Sequence, residues 1–214
     1  MSTENSTINK GATQQLVKDF WNHMMQRYGT RALIKHGSWA MRAIAQLLSM
    51  GGILDARSFM NNYTTVIGKT IYTPFEIGSA SVESDLWRQI VTAVHEHQHV
   101  VQQNRDGQRK FMFRYLTNSS SRARYEAEAY RCNMEMHFWR FGEVPSAHDL
   151  AWRLKDYGCA VSDIDMAEEL LEASAVKISQ GHITNQATFE AIAWLVKRAP
   201  DLAFLVKREE TKRT

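Results

Sequence analysis

The stretch Val94-His95-Glu96-His97-Gln98-His99-Val100 decides how the rest of the chain is interpreted. It contains the pattern His-Glu-x-x-His and lies inside a segment whose apolar residues recur with helical spacing. Positions four apart share one face of a helix, so His95 and His99 can offer two imidazole nitrogens to one metal ion. Glu96 lies one step round the same side, where it can act on water without being a ligand. His97 projects to the opposite side, which excludes it from this site.

The helix that carries this pattern is expected to begin near Ser81 and to run to about Asn104, with Gly107 as its terminator. Glu83 and Asp85 supply acidic residues to its first turn, where they favour a helix N-terminus. In a chain of this composition, the five-residue pattern arises by chance with a probability of roughly 2%. If the match is a chance one, the alternative interpretation is a histidine-rich, solvated helix surface.

A hydrolytic zinc site usually has three protein ligands, and the next predicted helix supplies candidates for the third. This helix begins in the serine cluster at residues 119–121 and carries Glu126 and Glu128. Glu126 lies 27 residues after His99, which is enough chain for a connection and an antiparallel return. A surface ion pair between Arg122 and Glu126 is the alternative interpretation of this carboxylate.

His-Glu-x-x-His followed by a helix with Glu-x-x-Ala resembles the gluzincin branch of the zincin metallopeptidases, in which two His and a downstream Glu bind zinc. Integral-membrane gluzincins commonly have Ser-Arg-x-Arg-Glu-x-x-Ala-Asp there, and residues 121–129 are similar to it after one extra residue. The resemblance covers roughly residues 63–142 and implies Glu126 as the third ligand, with Glu128 as the alternative. Helical periodicity agrees, because Glu126 borders the apolar stripe whereas Glu128 points further away.

The chain departs from the gluzincin pattern at Tyr130, where the family usually has an acid that steadies a histidine ligand. A different partner, Asn133 or Asp85, would then be required. A second electrophile usually assists such a reaction. Tyr130 and His137 are candidates because they lie 4 and 11 residues after Glu126 on the same helix face. Ordinary packing is the alternative for both.

β-Branched and aromatic residues on both sides of Gly68-Lys69 predict a hairpin over residues 63–73. Pro74 cannot donate a hydrogen bond to a strand ladder, which favours an edge strand for residues 70–74. The resemblance implies that this edge strand lies beside the active-site helix and binds an extended peptide. A purely structural hairpin is the alternative.

Apolar periodicity and capping signals predict five further helices. Three of them cover residues 16–28, 39–48 and 188–198. The other two begin at capping boxes, at 146–149 and at 165–168. Gly29 and Gly51-Gly52 end the first two of them. Because the chain has no internal repeat and no Pro, Gly or Ser-rich linker, we expect one domain over residues 1–214. Its class is α+β: a predominantly helical zincin-like domain with a small antiparallel hairpin, built on a metal-site core at about 63–142.

Composition excludes several other classes of protein. The 214 residues are 44% hydrophobic and 23% charged, which is typical of a soluble globular domain and not of a disordered chain. The net charge of +3 is too small to indicate a nucleic-acid partner. Cys132 and Cys159 are expected to be reduced and buried. The apolar stretch 43–54 is too short to span a membrane, and the polar first ten residues contain no signal core, so we expect a cytoplasmic protein.

These features together predict a zinc-dependent metallopeptidase that acts on a peptide or protein. One Zn²⁺ per chain would be held by His95, His99 and Glu126, with Glu96 as the general base for a zinc-activated water. Manganese, iron or cobalt could occupy the same ligands. Two alternatives stay open: a zincin-like protein that binds metal without turnover, and a helical interaction protein without metal. The oligomeric state does not follow from the sequence.

Overall fold

A computed structural model describes residues 11–50, 56–81 and 85–204. In chain order the elements are α1 (Gln14–Tyr28), β1 (Arg31–Ile34), α2 (Trp39–Met50), α3 (Ala56–Asn62), β2 (Thr65–Ile67), β3 (Thr70–Thr73), α4 (Leu86–Asp106), α5 (Gln108–Thr117), α6 (Ser119–Phe141), α7 (Ala147–Trp152), α8 (Val161–Ser179) and α9 (Gln186–Arg198). Short 3₁₀ turns cover residues 35–37, 153–157 and 200–202. The predicted α+β class, predominantly helical with a small sheet, is confirmed.

Helices α4 and α6 lie side by side at the centre of the protein. Trp87, at the start of α4, stacks on Trp139 near the end of α6, with ring centroids 6.2 Å apart. Gln102, near the end of α4, donates a hydrogen bond of 2.9 Å to the carbonyl of Tyr125 near the start of α6. The start of α4 thus contacts the end of α6, and the end of α4 contacts the start of α6. The two helices therefore run antiparallel, as expected for Glu126 to reach the two histidines.

The ends of α4 follow from local chemistry. The Asp85 side chain accepts a hydrogen bond from the backbone nitrogen of Arg88 (2.8 Å) and caps the helix. Helix α4 therefore starts after the expected Ser81, which is not helical, while Glu83 lies outside the described residues. Gly107, with a φ of +87°, ends the helix as predicted. Helix α5 restarts at once and was not predicted.

Two apolar cores share α6. The first joins α6 to α1, α4, α9 and the hairpin, and its buried members include Phe20, Trp21, Ile90, Val94, Ile71, Met136 and Leu195. The second joins the other side of α6 to α7 and α8, and its buried members include Ala127, Tyr130, Met134, Leu154, Ile164 and Leu171. Because packing holds α6 from two sides, the orientation of its side chains toward α4 is fixed.

The three strands form one sheet in the order β1-β3-β2. The predicted hairpin is present, with Val66 opposite Ile71 in an antiparallel pair and Gly68 in the turn at a φ of +59°. The expectation of an edge strand at residues 70–74 is wrong, because β3 is central and pairs in parallel with β1. Strand β3 ends at Thr73, so Pro74 lies beyond the ladder and removes no hydrogen bond from it. The hairpin strand at the sheet edge is β2, which contacts α4.

Five of the remaining helices were predicted and differ from the prediction at some ends, whereas α3 was not predicted. Helix α1 ends at Gly29, and Ser146 caps α7 by accepting a hydrogen bond from the Asp149 nitrogen (3.1 Å). Gly51-Gly52, the expected end of α2, lies outside the described residues. Helix α8 begins at Val161, four residues before the expected box at Asp165, and α9 begins two residues early. The box at Asp165 is therefore inside α8 and caps nothing.

Cys132 and Cys159 are buried free thiols, as expected. Within the described ranges, none of the helices combines the length and the apolar character needed to cross a bilayer. The polar first ten residues lie outside the described part of the chain.

Candidate metal centre

Three side chains from α4 and α6 meet at the centre of the helix pair. His95 Nε2 lies 3.4 Å from Glu126 Oε2, and His99 Nε2 lies 3.4 Å from Glu126 Oε1. One ligand atom from each residue lies within 4.8 Å of the other two. Two ligands bound tetrahedrally to zinc at ~2.1 Å are separated by about 3.4 Å. The cluster therefore has the spacing to bind a metal ion, and the role of these residues as ligands stays a prediction.

The Glu126 carboxylate is buried and only partly hydrogen-bonded. Its side chain is only 1% exposed. Oε1 accepts a hydrogen bond of 2.5 Å from the Tyr115 hydroxyl, whereas Oε2 accepts none from the residues that the structure describes. Burial alone would raise the pKa of Glu126, but the imidazoles of His99 and His95 and the Tyr115 hydroxyl lower it to about 2. An ionised, buried and half-unsatisfied carboxylate is stabilised by a bound cation.

The two imidazoles are held in the orientation that metal binding needs. His95 Nδ1 lies 3.2 Å from Asn133 Oδ1, and His99 Nδ1 lies 2.8 Å from Gln102 Oε1. An amide oxygen only accepts hydrogen bonds, so each Nδ1 can donate to its amide partner, which leaves Nε2 as the nitrogen that a neutral imidazole would offer to a metal ion. Both Nε2 atoms face the Glu126 carboxylate, whose negative charge a proton on an imidazole or a bound cation would balance. Of the two partners considered for a histidine ligand, Asn133 takes this position.

Glu96 lies next to the cluster and outside the ligand set. It is 5% exposed and, with His95, lines a cleft of about 1150 Å³. Burial raises the pKa of Glu96 to about 7, against the opposing effect of the His99 imidazole. Glu96 is thus a buried proton acceptor at the edge of an open cleft, the position expected for a general base.

His97 points away from the cluster, as the helical spacing predicted. Its Nδ1 donates a hydrogen bond of 2.6 Å to the Ala93 carbonyl, and its Nε2 lies 2.9 Å from the Thr30 hydroxyl. The ring packs between Trp21 and Tyr28 of α1, with centroids 6.3 and 5.2 Å away. Burial lowers the pKa of His97 to about 4. His97 is a neutral core residue with both ring nitrogens in use.

Glu128, the alternative third ligand, has other partners. Its Oε1 accepts hydrogen bonds from Gln98 Nε2 (2.7 Å) and Arg105 Nη1 (3.0 Å). The Arg122 guanidinium, the alternative partner of Glu126, donates to the carbonyls of Tyr115 and Gly158. Glu126 is therefore neither a surface residue nor interchangeable with Glu128.

The two candidate electrophiles both line the cleft beside Glu96. The Tyr130 ring lies 5.3 Å from the His95 ring, and its hydroxyl is hydrogen-bonded to Tyr157. Burial raises the pKa of Tyr130. His137 Nδ1 donates a hydrogen bond of 2.9 Å to the Glu143 carbonyl. Both residues border the site, and their catalytic role stays a prediction.

Two tyrosines of the site were missed by sequence reasoning. Tyr115 comes from α5, whose apolar residues Phe111, Met112, Tyr115 and Leu116 follow Gly107 with helical spacing, so periodicity could have found it. Tyr157 lines the cleft from a 3₁₀ turn and forms an edge-to-face pair with Tyr63, at 5.1 Å between centroids. Nothing in the local sequence of that turn indicates that it reaches the site.

Comparisons of this chain with protein-family models, curated proteins and solved structures found no match. The interpretation of the centre therefore depends on its own geometry and chemistry. These describe a buried cluster of His95, His99 and Glu126 that could bind a metal ion.

Proposed function

We propose that this protein is a zinc-dependent metallopeptidase. His95, His99 and Glu126 would hold the ion, and Glu96 would be the general base. The observation that carries the proposal is the buried Glu126 carboxylate, whose Oε2 lacks a hydrogen-bond donor among the described residues and faces His95 Nε2 at 3.4 Å. Two imidazoles and one carboxylate form a ligand set that zinc uses in hydrolytic sites, with a position left open.

The chemistry that a bound zinc ion supplies is Lewis acidity, which makes water acidic near neutral pH and polarises a carbonyl group. Glu96 would take up the proton of the attacking water at its carboxylate and return it to the leaving amine. Amide oxygens of Asn133 and Gln102 would accept hydrogen bonds from Nδ1 of His95 and His99 and leave each Nε2 to the ion. Tyr130 and His137, which line the same cleft, are candidates to donate a hydrogen bond to the carbonyl oxygen as charge develops there.

The cleft also suits an extended peptide. Its volume of about 1150 Å³ exceeds what a small metabolite requires. Tyr63 and Thr64, which line the cleft, lead directly into β2. Within the described residues β2 is an edge strand of the sheet, and an edge strand is where a substrate strand would add by backbone pairing. This proposal replaces residues 70–74 by β2 as the peptide-binding strand.

Metal content tests the centre first. We expect about one zinc per chain in protein purified without a tag or chelator, measured by mass spectrometry of the metal. His99→Ala and Glu126→Ala should lose it. Glu128→Ala is the matched control and should keep it, because Glu128 pairs with Gln98 and Arg105. A wild-type protein that stays metal-free after zinc is added back would refute the proposal.

Cleavage of denatured protein substrates tests the reaction. Glu96→Gln should keep zinc and reduce the cleavage rate by at least ~100-fold, because the amide cannot accept the proton. Undiminished cleavage by this variant would remove Glu96 from the mechanism. Zinc-loaded wild-type protein that cleaves nothing in a broad screen would instead favour the metal-binding protein without turnover.

A further inference from the structure

Helix α5 turns one side toward solvent. The exposed residues on that side are Arg109, Lys110, Phe113, Leu116 and Thr117. At about 100° per residue, the other four project within roughly 60° of Phe113, so they form one continuous face. Phe113 is 69% exposed and Leu116 is 46% exposed. This set of residues, called the outer face of α5 below, therefore presents two large apolar side chains to whatever lies outside the protein.

The outer face of α5 is also cationic. The helix contains three basic residues, Arg109, Lys110 and Arg114, and no acidic residue. Residues 105–124 together contain six basic residues and one acidic residue, whereas the whole chain has a net charge of only +3. The rest of the chain is therefore net acidic, and the positive charge is concentrated in α5 and the residues next to it.

The opposite side of α5 fixes the helix to the protein. Phe111 is 3% exposed, and its ring lies 4.5 Å from the ring of Tyr125, between centroids. The Tyr115 hydroxyl donates a hydrogen bond of 2.5 Å to Glu126. These contacts hold α5 in place through its inner side and leave the outer face exposed. The metal centre lies behind the outer face at a depth of about one helix diameter.

We propose that the outer face of α5 docks on the surface of an anionic lipid membrane. Phe113 and Leu116 insert among the lipid chains. Arg109 and Lys110 contact the phosphate groups. A helix that lies on a bilayer combines large apolar residues with Lys and Arg, and its affinity depends on both. The docking does not depend on the proposed function, because neither a metal ion nor a peptide takes part in it.

Two other kinds of partner fit the outer face of α5 less well. A single-stranded nucleic acid would match the positive charge, but it binds by stacking bases on aromatic rings, and the aliphatic Leu116 offers none. A second copy in a two-fold contact would bring two outer faces together, so that Arg109 and Lys110 would meet cations of the same kind. A lipid surface matches both the apolar and the cationic residues.

Binding to vesicles tests the docking. The full chain would be sedimented with sucrose-loaded vesicles of phosphatidylcholine, with and without about 30% phosphatidylserine. We expect the protein to bind the mixed vesicles at least ~10-fold more tightly than phosphatidylcholine alone, and the binding should weaken as salt is added. No binding to the mixed vesicles, or equal binding to both kinds, would overturn the proposal.

A pair of charge variants locates the electrostatic part. Arg109→Gln combined with Lys110→Gln should weaken binding to the mixed vesicles roughly 30-fold, because each cation near an anionic surface contributes about fivefold. Lys177→Gln combined with Lys197→Gln is the matched control, since it removes the same charge from exposed positions on α8 and α9. It should keep wild-type affinity. Equal losses in the two double variants would show that net charge, and not α5, drives the binding.

A pair of phenylalanine variants locates the apolar part. Phe113→Ser should weaken vesicle binding at least ~10-fold, because the inserted ring is lost. Phe189→Ser is the matched control, since Phe189 is 68% exposed on α9, and it should bind like the wild type. Urea denaturation would confirm that both variants are folded. Equal effects of the two variants would overturn the proposal.

The other two partners are outcomes of the same experiment. Wild-type protein that ignores vesicles but binds single-stranded RNA, and loses that binding in the Arg109 and Lys110 variant, would assign the outer face of α5 to nucleic acid. Self-association in sedimentation that Phe113→Ser abolishes, again without vesicle binding, would assign it to a second copy. Either result would overturn docking on a membrane.

Discussion

Helix α4 presents histidines on two faces that differ in what their ring nitrogens contact. On the metal face, the Nδ1 atoms of His95 and His99 are held by amide oxygens, and their Nε2 atoms lie 3.4 Å from one carboxylate. On the core face, His97 uses both nitrogens, one with the Ala93 carbonyl and one with the Thr30 hydroxyl. All three side chains are buried, at 8%, 7% and 0% exposure.

Burial and residue type therefore do not distinguish a metal ligand from a structural histidine. The two faces differ in the partner of Nε2. On one face this partner is a charged group whose own hydrogen bonds are incomplete, and on the other it is a hydroxyl group. On the metal face the Glu126 carboxylate is that partner, and a cation bound between it and the two Nε2 atoms could balance its charge. On the core face the hydroxyl of Thr30 can donate to the free lone pair, so a neutral imidazole is fully satisfied there.

The largest effect expected from this comparison is on zinc affinity. His99→Ala should weaken zinc binding on the order of 1,000-fold, about 4 kcal/mol, because one of three ligands is lost. His97→Gln should leave zinc affinity unchanged and lower the free energy of unfolding. Competition with a chromophoric chelator measures the first quantity and urea denaturation the second. A folded His97→Gln protein with the same loss of zinc would show that the two faces are not independent.

The second-largest expected effect is on the pH dependence of folding stability, to which His97 on the core face contributes. His97 has a pKa of about 4 in the folded protein and an ordinary value of 6.5 when unfolded. The unfolded chain therefore binds more protons below pH 6.5, so folding stability falls as the pH drops from 6.5 toward 4. The loss should reach about 3 kcal/mol. Comparing denaturation curves of metal-free wild type and His97→Gln isolates this part, since all other groups titrate in both. Parallel pH profiles would contradict it.

The smallest expected effect comes from the groups that orient the rings. Asn133→Ala and Gln102→Ala should each weaken zinc binding ~10- to 100-fold, about 1.4 to 2.7 kcal/mol, because His95 and His99 lose the acceptor for Nδ1. The counterpart on the core face is Thr30→Val, which should cost about 1 kcal/mol of unfolding free energy and leave zinc affinity unchanged. Chelator competition on all three variants makes the comparison. Wild-type zinc affinity in Asn133→Ala would mean that Glu126 alone orients the site.

Local signals account for the parts of the fold that the sequence predicted. Apolar spacing and chain-breaking glycines are properties of a few neighbouring residues, which is why α1, α4 and α6 and the end at Gly107 were found. Strand β1 has no such signal, because it is four residues long, mostly exposed and paired 39 positions away, at Thr70. The central place of β3 could not be predicted without that partner. Asp165 shows the opposite error, a capping pattern that the preceding turn of helix overrides.

The residues of the candidate site also divide into those that local spacing predicts and those that depend on tertiary packing. The spacing of His95 and His99 places them on one face of a helix, and Glu126 follows from the antiparallel return of α6. Tyr157 depends on how a distant turn packs, and no local pattern of residues encodes that. The partner of His99 is local, because Gln102 lies three positions later in α4. The partner of His95 depends on a tertiary contact, so only the structure shows that it is Asn133 and not Asp85.

The two faces of α4 also differ in how far along the chain their partners lie. His99 meets Glu126 27 positions away, and His95 meets Asn133 38 positions away. His97 meets Thr30 across 67 positions, and Gln89 meets Trp21 across 68. Closing the longer loops costs about 0.8 kcal/mol more in chain entropy, and contacts of short separation form sooner. The metal face is therefore expected to assemble first, from residues 86–141, so that a cation could be captured before α1 docks and could act as a nucleus for the rest of the fold.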